Sequence, residues 1–241
     1  MKYQDVTKTP CENAYFLVFN LINSSETRPT LIDFCNNLSG LLRSMRTRFP
    51  ELDVSCVMGF GADAWSKLFP NQAKPRELNT FKQINGDVYT AVSTPGDLFF
   101  HIRALKVSAC YELAAIISQK LNSIATSEDE VHGFRYFDGR SIIGFVDGTE
   151  NPEFEDERVA YAVIGDEDPL FTGGSYAFVQ KYIHDMTAWE NQSLIEQEKV
   201  IGRHKFNDVE LTDEEKDPGS HNVVTNIQDE NGDDLKIVRA N

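Results

Sequence analysis

Two apolar rhythms organise the first 137 positions. Tyr15 to Ile22 is a strand-type apolar run. From Thr30 through Phe49 the residues Leu31, Phe34, Cys35, Leu38, Leu41, Leu42 and Met45 return every three or four positions, which is the spacing of one helix face, and Pro50 stops the helix. Asp53 to Phe60 resumes strand character, Asp63 to Phe69 reads as a short helix and Leu98 to Leu105 as a third strand. A helix over Ser108 to Ser123 follows, then a fourth strand over Gly133 to Phe137. The order strand, helix, strand, strand, helix, strand is the ferredoxin-like split βαβ arrangement, in which helices pack on an antiparallel sheet. It predicts a first domain over residues 1–137.

Beyond that point the pattern thins into a connection rich in glycine and acidic residues. Ser175 to Tyr182 reads as a strand, Thr187 to Ile201 as a helix, and Asn222 to Ile227 and Leu235 to Arg239 as two last strands, which together predict a second domain over residues 138–241. The acidic segment Asp229-Glu230-Asn231-Gly232-Asp233-Asp234 invites a calcium-loop reading. Its glycine stands fourth, whereas an EF-hand needs glycine sixth and glutamate twelfth. Asn231-Gly232 between apolar runs is instead a hairpin signal. Folding back there would bring the neighbourhood of His221 beside that of Arg239.

Composition narrows the class. Hydrophobic residues form 41% of the chain and 16 are Phe, which places it among globular proteins rather than disordered ones. Against 23 Lys and Arg stand 38 Asp and Glu, a net charge of −15, so nucleic-acid backbones and anionic membranes would be repelled. Met1 to Glu12 is polar and Tyr15 to Ile22 is too short to cross a bilayer, so the sequence reads as cytoplasmic. Cys11, Cys35, Cys56 and Cys110 are widely spaced and read as buried reduced thiols.

One segment concentrates chemistry. In Gly144-Phe145-Val146-Asp147-Gly148-Thr149-Glu150-Asn151-Pro152 a carboxylate sits on a glycine-flanked bend directly after an apolar stretch. Taken alone this is also how a surface turn after a buried strand looks. Of the five histidines, His101, His132, His184 and His204 read as structural or solvated. His221 follows the helix-hostile Glu214 to Ser220 and opens an apolar run, which would hold its imidazole at the mouth of a sheet. The residues themselves leave its role open.

The combination of Gly144-x-x-Asp147-Gly148-Thr149-Glu150-Asn151-Pro152, preceded by His132-Gly133-Phe134-Arg135, resembles the signature of the dye-decolorising peroxidases, in their shorter bacterial type. Gly173-Gly174-Ser175-Tyr176 with Val179-Gln180, Ile201-Gly202-Arg203, Ser220-His221 and Leu235 to Arg239 match in the same order across nearly the whole chain. The resemblance implies haem b between two ferredoxin-like halves, an α+β fold with antiparallel sheets and helices on the outside. It implies His221 as the proximal iron ligand, Asp147 as distal acid-base and Arg239 as distal arginine. Arg203 would face a haem propionate, Asn241 stands where some members carry a distal asparagine, and Gly148, Thr149, Glu150 and Asn151 would line the cofactor. Hydrogen peroxide and a small organic electron donor are the implied substrates, and a homo-oligomer the implied assembly; any tail addressing the chain to an encapsulating shell protein would lie beyond Asn241. Family members continue for several tens of residues past the Arg239 position, so the second half is expected to be truncated, with the partner of the proximal imidazole outside it.

The residue types suit that chemistry. A neutral imidazole can hold ferric iron on one face and leave the other to peroxide. There a base must take the first peroxide proton and return it to the leaving oxygen, and Asp147 can do this directly or through a water. A fixed guanidinium, Arg239, would stabilise the charge that develops as the O–O bond stretches. An aspartate ordinarily titrates near about 3.9 and a histidine near about 6.5, so an aspartate base predicts an acidic optimum. Two other classes compete: a haem-binding or iron-handling protein in which the same groups merely line the pocket, and a metal-free acidic hydrolase built on Asp147 and Glu150, for which no nucleophile with a paired histidine is evident.

Overall fold

A computed structural model describes residues 3–239. Its contacts divide them into two units: residues 3–134 with 162–177, and residues 135–161 with 178–239. Segment 162–177, which the sequence assigns to the second domain, thus groups with the first unit.

In the first unit the antiparallel sheet has the order β2-β5-β1-β6, formed by β1 (Asn13–Leu21), β2 (Ser55–Phe60), β5 (Leu98–Ala104) and β6 (Ala125–Phe134). A separate two-stranded hairpin joins β3 (Ile84–Asn85) to β4 (Thr90–Ala91). Helices α1 (Thr27–Arg48) and α3 (Val107–Leu121) cover one sheet face, with α2 (Ala62–Leu68) between β2 and the hairpin. Alternation sends Leu17, Phe19, Leu98, Phe100 and Ile102 into this core against Leu31, Phe34, Leu113 and Ile117. Phe100 has no solvent exposure and meets the edges of Phe19 and Phe34, both at 5.9 Å between centroids. On the opposite face the Arg103 guanidinium donates to the carbonyls of Asp5 and Lys8, and His101 stacks on Phe16 at 4.5 Å. Segment 162–177 is fastened within the same unit by Arg76 N–H to Asp168 Oδ2 at 2.8 Å, by Glu77 N–H to Tyr176 Oη at 3.0 Å and by Trp65 against Phe171.

The second unit contains α4 (Glu155–Ala162), which ends at its border, α5 (Met186–Glu190), α6 (Leu194–Ile201) and α7 (His221–Val224). All named strands of the described residues lie in the first unit; the second has the isolated antiparallel bridges Tyr136 with Arg140, Arg140 with Val146, Arg203 with Glu210 and Gln228 with Asp234.

The α+β class and the split βαβ order of the first unit match the expectation, and several elements differ. β6 begins at Ala125, eight positions before the expected Gly133, because it is an edge strand defined by its ladder to β1 and its polar run Thr126 to Glu130 conceals it. The expected helix Thr187 to Ile201 is two helices: Ser193 accepts from Glu196 N–H and Glu196 reaches back to Ser193 N–H, a capping box that starts α6 afresh. Ser175 to Tyr182 forms no strand; residues 176–182 are exposed and lack a ladder partner among the described residues. Asn222 to Ile227 opens as helix α7, because Ser220 at the cap turns the chain and Val223 and Val224 return their N–H groups to its carbonyl. Leu235 to Arg239 forms no strand, but the chain does fold back before it: Asp229 accepts from Asn231 N–H and Asp233 N–H at 2.8 and 2.9 Å, and Leu235 N–H reaches Ile227 O at 2.8 Å.

Candidate active site

Asp147 lies on a bend closed on itself. Its N–H donates to Gly139 O at 3.0 Å, Ser141 N–H donates to Phe145 O at 2.9 Å, and Gly144 N–H returns to Ser141 O at 2.9 Å. Gly144 is favoured there by its φ of +92°, a left-handed conformation that L side chains rarely adopt, and the Lys205 side chain lies over it. Phe145 is buried while Asp147 is exposed, so the apolar residue anchors the bend and the carboxylate is presented. Gly148 N–H donates to Asp147 Oδ1 at 2.8 Å, which sets the side-chain rotamer.

The same bend captures Arg239. Asn151 Nδ2 donates to Arg239 O at 3.0 Å and Arg239 N–H donates to Asn151 Oδ1 at 2.7 Å. One side-chain amide thus satisfies both backbone groups of a residue 88 positions away, as a strand partner would, and puts the arginine four residues along from Asp147.

His221 opens α7 and is seated by its neighbours. Buried Ser220 donates from Oγ to Asn222 Oδ1 at 3.1 Å, and Asn222 Nδ2 donates to Gly202 O at 3.1 Å and to Glu210 Oε1 at 2.9 Å. Gly202 ends α6 in the left-handed region at φ +88°, and a Cβ on it would fall 1.8 Å from Asn222 Oδ1. The Asn222 side chain of α7 therefore packs directly over the glycine that ends α6. His221 keeps solvent contact, yet partial burial of the ring lowers its pKa from the ordinary value; the Arg239 guanidinium adds to the lowering and Asp147 opposes it. Arg239 and Asp147 are thus both close enough to His221 for their charges to bear on its imidazole.

Arg203 is engaged by carboxylates: Glu150 at 2.9 Å, and Asp208 and Glu210 at 3.8 Å each. Lys216 at 2.7 Å, followed by Arg203 and Asn222, holds Glu210 below its usual titration range. Glu150 and Arg203 together tie the Asp147 loop to the chain after α6. Thr149 is exposed and Gly148 half-buried. Asn241 lies outside the described residues.

The sequence reading did not single out Arg140, Trp189, Gln197 or Lys205, which surround the bend. Trp189 Nε1 donates to Ile143 O at 3.1 Å, Gln197 Nε2 to Trp189 O at 2.9 Å, and Lys205 Nζ to Gln197 Oε1 at 2.7 Å. Ser193-x-x-Glu196 was the available signal for this layer, since it fixes the start of the helix that presents Gln197.

Comparison with known proteins bears on this arrangement. The family model described as Dyp-type peroxidase, N-terminal, matches residues 4–135, and the one described as Dyp-type peroxidase, C-terminal, matches residues 138–241. The chain belongs to the Dyp-type peroxidase family. A dye-decolorizing peroxidase of Rhodococcus erythropolis is 46% identical over 95% of this chain and 66% of its own length. The crystal structure of a dye-decolorizing peroxidase from Bacteroides thetaiotaomicron matches with TM-score 0.94 and 58% identity over 100% of this chain and 76% of that one. A DypB variant from Rhodococcus jostii RHA1 in complex with heme matches with TM-score 0.94 and 45% identity over 98% and 76%. The chain spans slightly less than two thirds of the Rhodococcus erythropolis relative. Within the family framework, the candidate site falls wholly in the C-terminal match.

Proposed function

We propose that this chain of the Dyp-type family is a haem b peroxidase, reducing hydrogen peroxide and oxidising bulky organic donors such as dyes and phenols in one-electron steps. His221 is the iron ligand, Asp147 the distal acid-base and Arg239 the stabiliser of charge on peroxide. The carrying observation is that Asn151 holds the Arg239 backbone to the Asp147 loop within one unit, where the charges of Arg239 and Asp147 both bear on the His221 imidazole. The heme-bound relative supports the cofactor.

The donor set suits that group. An imidazole whose pKa is lowered stays neutral further into acid, as a metal ligand must, so protons compete with iron only below the ordinary histidine range. Haem, when bound, would supply the iron that takes up the two oxidising equivalents of hydrogen peroxide and passes them on to the organic donor one electron at a time. Asp147, presented by its bend, takes a proton from peroxide and returns it to the leaving oxygen. Arg239, permanently charged and half-buried, stabilises the anion that develops between those transfers. Gly148, Thr149, Glu150 and Asn151 wall the cofactor side of the loop, and Arg203 braces it through Glu150.

The proposed setting is cytoplasmic and the proposed assembly a homo-oligomer; among the described residues no helix is long and apolar enough to cross a membrane. The test mixes hemin-loaded protein with hydrogen peroxide under stopped flow. Wild type should change its Soret band rapidly, and D147N and R239L should each slow that change by about 100-fold or more. Equal rates in all three proteins would overturn the roles of Asp147 and Arg239, and a wild type that does not respond to peroxide would leave haem carriage without turnover.

A further inference from the structure

We infer that Arg140 is the positioning residue that fixes the Asp147 bend for proton transfer, an inference that rests on the peroxidase reading. Its guanidinium, with the side chain 18% exposed, is shared among two stretches of chain. Nη1 donates to Gly144 O at 3.0 Å and also to Lys205 O, Nη2 donates to Phe206 O at 3.2 Å, and Nε donates to Asp138 Oδ1 at 2.9 Å. One planar cation therefore joins the start of the bend, its apex and a segment more than 60 residues later. Its backbone adds the antiparallel bridge to Val146, the residue before Asp147.

The surrounding groups leave the bend little freedom. The carbonyl of Ile143 is taken by the Trp189 indole N–H, that of Gly144 by Arg140, and that of Gly139 by the Asp147 N–H. Lys205 lies across Gly144 with its ammonium 5.6 Å from the Phe145 ring centroid. An ordinary surface turn would give those carbonyls to water; here protein donors occupy them. A lysine at position 140 could keep the charge but not the fork, because four acceptors in three directions need a planar, multiply donating group.

The experiment compares wild type with R140Q and R140K. Hydrogen exchange followed by mass spectrometry on the protein as purified should show the peptide covering residues 141–148 exchanging about tenfold faster or more in R140Q, less so in R140K, with the β1 peptide unchanged. After hemin loading, kcat should fall by about 10- to 100-fold in R140Q, with the KM for peroxide and the hemin affinity held within about twofold. Unchanged exchange of 141–148 in both variants would overturn the inference, as would faster exchange with undiminished kcat, or equal acceleration of β1. If R140Q fails to fold, R140K alone decides by the same readouts. Absence of peroxide turnover in wild type would instead sink the proposed activity, while the exchange measurement still judges the clamp.

Discussion

Phe100 in the first unit and Asn151 in the second do comparable jobs by opposite means. Phe100 is held by apolar contact on every side, with Phe19 and Phe34 edge-on and α1 and α3 above it. Asn151 holds Arg239 with two directed hydrogen bonds. Apolar packing tolerates a change of neighbour provided volume is kept, whereas a directed amide cannot be replaced by another shape. One unit is specified by pattern and the other by individual polar partners.

The largest break is Phe100→Ala, which should destabilise the first unit by about 3–5 kcal/mol through lost burial and the cavity left behind. Trp65 belongs to that unit and Trp189 to the other, so denaturant unfolding of W189F, followed by the fluorescence of Trp65, measures it. A loss below about 1 kcal/mol would deny that packing around Phe100 dominates.

Acid should strain the same unit next. Burial, followed by the nearby Arg103, lowers the His101 pKa to about 3. Unfolded His101 titrates near 6.5, so as pH falls below 6.5 the unfolded chain takes up a proton that the folded chain refuses until about pH 3. Stability from this group is fully present above 6.5, declines between 6.5 and about 3 and is lost below, at about 1.4 kcal/mol for each pH unit traversed. Replacement by phenylalanine should flatten that decline in a series of denaturant midpoints, and an unaltered slope would refute the assignment.

Asn151→Ala gives the smaller effect on stability, about 1–3 kcal/mol for two backbone groups losing their partner, with a larger effect on peroxide reactivity as Arg239 drifts. Denaturation followed by Trp189 in W65F, beside stopped-flow peroxide rates, separates the two; a rate that survives would show that Arg239 needs no clamp.

Legibility follows the same division. Leu31, Phe34, Leu38 and Met45 on one helix face, and the alternating strands beside them, follow periods of 3.6 and 2, and β1, β2, β5, α1 and α3 were readable from them. β6 lost all but its last two residues to reading because an edge strand owes its place to main-chain pairing. Asp147, His221 and Arg239 stood out as candidates through short motifs and their order, although His221 opens a helix where a strand was expected. Arg140 and the clamp by Asn151 were not, since each joins positions more than 60 apart through carbonyls that every residue possesses. Periodicity carries no record of such pairs.

The account stands most directly on a hemin titration followed by visible absorbance, comparing wild type with His221→Ala. Wild type should bind one hemin per chain and give a Soret band that responds to peroxide, while the variant should bind far more weakly and lose that band position. Identical spectra and affinities for the two proteins would contradict the account.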